Sequence, residues 1–424
     1  APHCYTWSMN TQDIQTRCCI SGGGPAGIML GFLLARSGID VTVLEKWPDF
    51  FRDFRGDTIH PSTMEILHEL GLLKEFVKLP HDEIREVEAD IGGFKVSMAD
   101  FSHLKVQCPY LAFIPQWDFL NFISAEAKKH PSFHLLMETE ATDIIEEGGA
   151  VVGVRAKDKS GEFQIRSELV IGADGRHSTV REKSGLAAHE SGSPIDVLWF
   201  RISRKESDPA AVLGKVDMGR MMVMIDRGSY WQCAFIIRKG QFEGMKQAGL
   251  ESFRAGIVEL VPSLADRASE IREWDQVKLL TVVVDRLEKW HRPGLLCIGD
   301  SAHAMSPIGG VGINLAIQDA VAAANALVPA FLKGIPNERD LAKVQKRREL
   351  PTRIIQRAQV FIQDHVVFRI IDSRTHYARL PWQLRLIQRF PALRRIPAYL
   401  IGMGYRHEHV RTREASQEPS QAIS

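Results

Sequence analysis

A glycine triplet at the end of a short apolar run limits this chain more than any other feature. Arg17-Cys18-Cys19-Ile20 reads as a buried parallel strand, and it breaks at Ser21-Gly22-Gly23-Gly24. Pro25 suits the first turn of a following helix, whose buried surface is filled by Ile28, Leu30, Phe32, Leu33 and Leu34. Gly38 then supplies a left-handed stop. Val41 to Leu44 resumes as a second strand, which completes a β-turn-α-β unit within about thirty residues. In Gly22-x-Gly24-x-x-Gly27, Gly22 permits the turn, Gly24 lets backbone amides approach a pyrophosphate, and Gly27 lets helix and strand pack closely. The helix start, with Pro25 and Ala26 in its first turn, turns partial positive charge toward the phosphates. Glu45 ends the second strand, 21 positions after Gly24, where its carboxylate can accept hydrogen bonds from both hydroxyls of a ribose. The unit predicts a bound dinucleotide, and this motif alone leaves FAD and NAD both open.

Composition removes several other classes. With 424 residues, 45% hydrophobic and 25% charged, the chain has the profile of an ordinary folded protein. Its net charge of +1 gives no footprint for nucleic acid, so a small-molecule or protein partner is expected. The six cysteines form no C-x-x-C pair, so neither a metal cluster nor a dithiol centre is expected. No run approaches the about 18 uncharged apolar residues of a membrane span, and the N-terminus lacks the basic-then-apolar order of a secretory signal; a cytoplasmic protein is expected. Residues 1–8 precede Met9 without periodicity and are expected to lie outside the fold.

Further along, Met64 to Leu79 and Phe119 to Lys129 read as amphipathic helices. Phe133–Met137, Ala141–Ile145, Val151–Ala156 and Phe163–Ile171 read as strands rejoining the first sheet. From Ile195 to Ile237 the chain alternates apolar and polar residues, which predicts an antiparallel second layer. Leu279–Val284 and Leu295–Ile298 are strands again, and Gly312 to Leu332 is a long Ala-rich helix. From Leu332 to the end there are 18 Lys and Arg against 8 Asp and Glu, so charge is polarised along the chain. Pro381 to Arg395 interleaves Trp382, Leu384, Leu386, Phe390 and Leu393 with arginines. Its expected arrangement is an apolar side on the protein body and solvated arginines, with docking on a membrane surface as the alternative.

Two more motifs belong with the first. Leu169-Val170-Ile171-Gly172-Ala173-Asp174-Gly175-Arg176-His177-Ser178 is a strand running into a glycine-flanked aspartate. Leu295-Leu296-Cys297-Ile298-Gly299-Asp300-Ser301-Ala302-His303 is a buried strand that delivers Asp300 at its C-terminal end, where ligands of open α/β sheets sit. Ser306-Pro307-Ile308-Gly309-Gly310-Val311-Gly312-Ile313-Asn314 then opens backbone onto a helix N-terminus, a place that stabilises negative charge.

These three motifs, in this order, resemble those of the class A flavoprotein aromatic hydroxylases, the p-hydroxybenzoate hydroxylase-like FAD monooxygenases, over most of residues 15–330. The resemblance implies that Gly22, Gly24 and Gly27 with Glu45 hold the ADP half of FAD, with Lys46 and Ala141 beside the adenine. Asp300 would bind the ribityl chain; Pro307, Gly310, Val311, Gly312, Ile313 and Asn314 would face the isoalloxazine ring. Asp174 and Gly175 match a motif used for both FAD and the nicotinamide cofactor. Arg55 resembles the arginine that meets the pyrophosphate and helps the flavin move, and with Pro307 it is the position assigned to catalysis. Gln116, before a helix starting near Trp117, resembles a glutamine near the ribityl chain. His60 and His303 are expected to be structural.

The fold so implied is α/β: a Rossmann-like FAD-binding domain with a mixed β-sheet substrate domain and a C-terminal helical segment. Its expected divisions are an FAD-binding part over 15–190, the substrate sheet over 191–278, a returning FAD-binding part over 279–332, helices over 333–413 and a flexible tail over 414–424. In this family NAD(P)H reduces the flavin and leaves, O2 adds at flavin C4a, and the hydroperoxide passes one oxygen atom to an electron-rich ring. The implied substrate is an aromatic or polycyclic small molecule, with Met222, Met224, Tyr230 and Trp231 as candidate lining. The absence of a second strand-Gly-x-Gly-x-x-Gly-helix fits a nicotinamide that docks transiently, and the absence of Trp-x-Trp makes the flavin-dependent halogenases less expected relatives. A quinone- or drug-modifying oxidoreductase on the same fold, or a membrane-associated flavoprotein without turnover, are the alternatives.

Overall fold

The computed structural model describes residues 13–51, 58–208, 214–372 and 379–415. β1 (Ile14–Ser21), α1 (Pro25–Arg36) and β2 (Val41–Glu45) follow one another as the glycine triplet requires. β3 (Thr58–Ile59) leads into α2 (Pro61–Glu69). The single helix expected over Met64–Leu79 is divided, because Gly71 takes a φ of +75° and restarts the chain in a short turn at Leu73–Phe76. A hairpin of β4 (Glu86–Ile91) and β5 (Phe94–Asp100) precedes α3 (Gln116–Ala127). β6 (Phe133–Met137), β7 (Glu140–Glu147), β8 (Ala150–Asp158) and β9 (Gly161–Gly172) then run into α4 (Thr179–Ser184).

The first sheet has the parallel order β6-β2-β1-β9, and β7 and β8 extend it antiparallel through the first half of β9. Because β1 has a parallel neighbour on each side and helices above it, its residues Cys18, Cys19 and Ile20 are fully buried. Burying an aliphatic side chain such as Ile20 contributes about 1.5–3 kcal/mol relative to leaving it exposed.

The chain then builds the second layer from β10 (Ile195–Ser203), β11 (Gly214–Asp217), β12 (Arg220–Asp226) and β13 (Tyr230–Arg238). Two helices follow, α5 (Phe242–Ala248) and α6 (Leu250–Leu260), and then β14 (Lys278–Leu280). Its order is β14-β10-β13-β12-β11-β4-β5, so the hairpin from far upstream supplies one edge, joined by the parallel pair β11–β4. Alternation over Glu86–Asp100 around Gly92-Gly93, both with positive φ, is the sequence signal that would have found that hairpin. The strand expected to continue to Val284 stops pairing at Leu280, where Asp196 Oδ1 takes the Val282 N–H at 3.0 Å in place of a ladder partner.

β15 (Leu295–Cys297) returns to the first sheet beside β9. α7 (Gly312–Lys333) packs on α1, and its Ala320, Ala323 and Ala324 have no exposed surface. α8 (Glu338–Ile362) covers α7, and α9 (Trp382–Arg389) and α10 (Arg395–Gly402) lie on β5.

Candidate functional site

The three motifs converge at the C-terminal ends of β1, β9 and β15, adjacent parallel strands. Gly22 has a φ of +109°, and a side-chain carbon there would sit 2.4 Å from the Ala173 carbonyl oxygen. A carbon on Gly27 would sit 1.9 Å from the carbonyl oxygen of Gly22. Around the corresponding position on Gly24 no atom lies within 4 Å. Two glycines are therefore demanded by the protein's own backbone, and the third leaves open space at the start of α1. There Pro25 has no N–H, and the amides of Ala26 and Gly27 have no partner within the helix.

Glu45 closes one side of this space. Its nearly buried carboxylate accepts the N–H groups of Gly23 and Trp47, both at 3.1 Å. These two bonds hold the carboxylate at the edge of the space. Lys46 is half exposed and lies 3.7 Å from Glu140 Oε1, and the neighbouring Ala141 is buried at the same edge.

Asp174 and Asp300 behave differently. Ser178 Oγ donates to Asp174 Oδ1, and the Val180 N–H donates to Oδ2 at 3.3 Å, so this carboxylate ties the turn to α4. Burial pushes its carboxyl above the usual range, against the pull of the Ser178 bond. Asp300 keeps a third of its side chain exposed and is 3.8 Å from Arg176 Nη2. Ala26 of the first motif touches the turn that carries it, since a carbon on Gly299 would be 3.2 Å from Ala26 Cβ.

The loop before α7 is held by long-range side-chain bonds. Gly309 and Gly310 have φ of +79° and +62°, and Thr58 Oγ1 lies 3.1 Å from the Gly310 carbonyl oxygen. Asn314 Oδ1 accepts the His60 N–H at 2.9 Å and the Thr63 hydroxyl at 2.7 Å, while its Nδ2 donates to the Thr58 carbonyl at 3.2 Å. The side chain expected to face a flavin is thus occupied with β3 and α2. Val311 and Ile313 also turn inward, the first against Met305, Leu315 and Ile355. What the loop presents is backbone: Gly312 has no atom within 4 Å of a would-be side-chain carbon, and the first-turn amides of α7 are free of helical partners. Pro307, half-buried, opens the loop. Gln116, also half-buried, is itself the first residue of α3, one position earlier than the expected start. Arg55 lies outside the described residues.

Behind these turns is a buried ionic cluster that sequence reasoning missed. Asp319 Oδ2 accepts the Gly299 N–H at 3.0 Å and faces His303 Nε2 at 2.5 Å, and Oδ1 accepts from Arg348 Nε at 2.8 Å. Arg348 Nη1 reaches Glu408 Oε1 at 3.3 Å, which Arg347 also meets at 2.6 Å. Burial raises the Asp319 carboxyl, but His303 and Arg348 outweigh it and hold the group below its ordinary range. His60 is buried with Nδ1 on the Ile401 carbonyl oxygen at 2.7 Å, and burial lowers it to about 4. Cys19 and Cys297 are pushed up to about 12 by burial, which leaves no thiolate beside the site.

The second sheet turns two apolar faces outward from its plane. Met222, Met224 and Trp231 belong to the core under α5 and α6, with Phe200, Phe253 and Ile257, so these expected lining residues are corrected to packing residues. Tyr230 has the opposite phase and lies under the Arg201 guanidinium at 4.9 Å. The half of β12 that faces the first domain is Met221, Val223 and Ile225, and Met221 and Val223 share a cluster with Ile236 and Ile308 of the α7 loop.

Two open glycine backbones at helix starts, an acid at the end of β2 and an aspartate at the end of β15 fit FAD and define a dinucleotide-binding flavoprotein. The family described as FAD binding domain matches residues 15–358. Over 383 residues, covering 90% of this chain and 91% of the other, the sequence is 31% identical to 6-methylpretetramide 4-monooxygenase from Streptomyces rimosus. The fold is shared with an anhydrotetracycline hydroxylase from Streptomyces rimosus, with TM-score 0.72, 22% identity, and coverage of 92% of this chain and 76% of that one. It is shared also with p-nitrophenol 4-monooxygenase from Pseudomonas putida DLL-E4, with TM-score 0.73, 19% identity, and coverage of 94% and 100%. The chain belongs to the FAD binding domain family and is a class A FAD-dependent monooxygenase of the aromatic hydroxylase type.

Proposed function

We propose that this enzyme uses NAD(P)H and O2 to hydroxylate an aromatic or polycyclic small molecule held between the α7 loop and the inward face of the second sheet. The observation that carries this reading is the pair of open backbones at Gly24 and Gly312, set on two helix starts beside Gly22, Gly27 and Gly310, which are crowded by protein. FAD, when bound, supplies the redox chemistry: it takes electrons from the nicotinamide, activates O2 and delivers one oxygen atom to the ring.

The chain's own residues bind, orient and exclude water. Gly22 to Gly27 and Glu45 would hold the ADP half, and Asp300 would hold the ribityl hydroxyls. The amides of Gly312, Ile313 and Asn314, on the positive end of α7, would stabilise negative charge on the ring. Trp199, Val223 and Ile225 make an apolar wall next to Phe113, suited to a flat carbon skeleton and able to keep water from the reacting atoms. The relative from Streptomyces rimosus, named for a 6-methylpretetramide, supports a polycyclic substrate.

The test is a screen of aromatic compounds against FAD-loaded protein, following NAD(P)H oxidation and 18O incorporation from 18O2. Faster oxidation with label in the product is expected. Protein that cannot be loaded with FAD overturns the reading, and an unlabelled product converts it to dehydrogenation.

A further inference from the structure

Between Asp372 and Glu408 the chain carries seven arginines and no acidic residue. The expectation for this stretch was that its apolar residues turn to the protein body, and the structure divides them otherwise. Leu384 packs on the cluster of Ile91, Val96 and Val216. Trp382, Leu386 and Phe390 are 65%, 43% and 53% exposed, and Ile396, Tyr399 and Leu400 of α10 are exposed as well. On α9, Arg385, Leu386 and Arg389 follow Trp382 at helical spacings of three, four and seven, so cations and apolar groups share one outward face. Arg394 bonds the carbonyls of Ile387 and Gln388, both at 3.4 Å, and closes the end of α9. Arg385, Arg389 and Arg395 have no acidic partner among the described residues.

We propose that this face docks the enzyme on an anionic lipid bilayer, with α9 and α10 lying in the interface. Arginines interleaved with Trp, Phe and Tyr match the two layers such a surface offers, phosphate oxygens above and acyl carbon below. A second copy of this chain is a poor occupant, because a self-complementary contact would set the arginines of α9 against one another. Beside α10 an open groove of about 390 Å³ is lined by Leu104, Ile396, Tyr399 and Leu400 together with Arg395. Asp100 and His103 also line it, 3.2 Å apart. This places apolar volume next to a cation, as one lipid tail under its phosphate requires. The docking is peripheral: among the described residues one helix is long and apolar enough to cross a membrane, the one containing α7, and 72% of its apolar window is buried in the protein.

The experiment is co-sedimentation of the full FAD-loaded chain with vesicles of phosphatidylcholine alone or with about a third phosphatidylglycerol. Binding is expected only to the anionic vesicles, and it should be lost at about 0.5 M salt. The double variant Arg385→Gln and Arg389→Gln should weaken binding about thirty-fold, from about 1 kcal/mol per cation at the surface. Leu386→Glu should abolish it, and both variants should retain FAD and melting temperature because the residues are exposed. Equal binding to neutral vesicles, no binding by the wild type, or an unaffected double variant overturns the proposal. A dimer that Leu386→Glu dissociates, without vesicle binding, overturns it in favour of a second copy.

Discussion

At the start of α1 the chain is shaped by what glycine lacks, since carbons on Gly22 and Gly27 would strike the backbone at 2.4 and 1.9 Å. At the start of α7 it is shaped by what distant side chains supply: Asn314, Thr58 and His60 tie the loop to β3, and Asp319 ties the neighbouring Gly299 turn to Arg348. Both ends present bare amides at the place proposed for the cofactor. The first is set by the close approach of backbone to Gly22 and Gly27, and the second by side-chain bonds spanning up to 256 residues. A steric device tolerates almost no substitution at its crowded glycines, whereas one made of side-chain bonds can be loosened one bond at a time.

Substitutions separate the two. Gly27→Ala should have the largest effect, a loss of more than about 4 kcal/mol or failure to fold, seen as a collapsed melting temperature and no bound FAD. If it folds normally, the steric account of α1 is broken. Asp319→Asn should follow, with about 3 to 5 kcal/mol lost in chemical denaturation, because Arg348 stays buried with less countercharge. FAD retention should fall in parallel if the Gly299 turn depends on it.

Acid sharpens the same contrast. His60 in the folded chain titrates at about 4, below the 6.5 of the unfolded one, so the unfolded state takes up the proton first. Its contribution is complete above pH 6.5, is lost as pH falls through 4, and amounts to roughly 3 kcal/mol. His60→Gln should remove that part of the pH dependence in melting curves. Asn314→Ala should cost about 2 kcal/mol by stranding its partners, and it should lower FAD affinity while leaving the α1 cradle intact. Gly24→Ala should have the smallest effect on stability, at most about 1 kcal/mol, yet weaken FAD binding about tenfold by fluorescence titration, since only the ligand meets the new methyl. Unchanged binding would show that the open space at Gly24 is not used.

The residues β1, α1, β2 and β6 were legible because period, glycine placement and apolar runs act over a few neighbours; Phe133–Met137 was read with the bounds it has. So were the three motifs, which the structure brings together at the ends of β1, β9 and β15. The phase of β12 was not legible, because Met221, Val223 and Ile225 are as apolar as Met222 and Met224. Only the helices covering one side decide which set is core. Nor could alternation place β4 and β5 at the edge of a sheet whose other strands lie more than a hundred residues later.

The sequence by itself determined the dinucleotide unit, the order of its three motifs and the uneven distribution of charge, all of which depend on residue type and spacing. Tertiary structure alone decided that Asn314 faces inward, that Asp319 meets Arg348 and Glu408 through the core, and that Trp382, Leu386 and Phe390 stay uncovered. The reason is that a side chain's partners are chosen by packing among elements, and a one-dimensional pattern states what each face carries without stating what lies opposite.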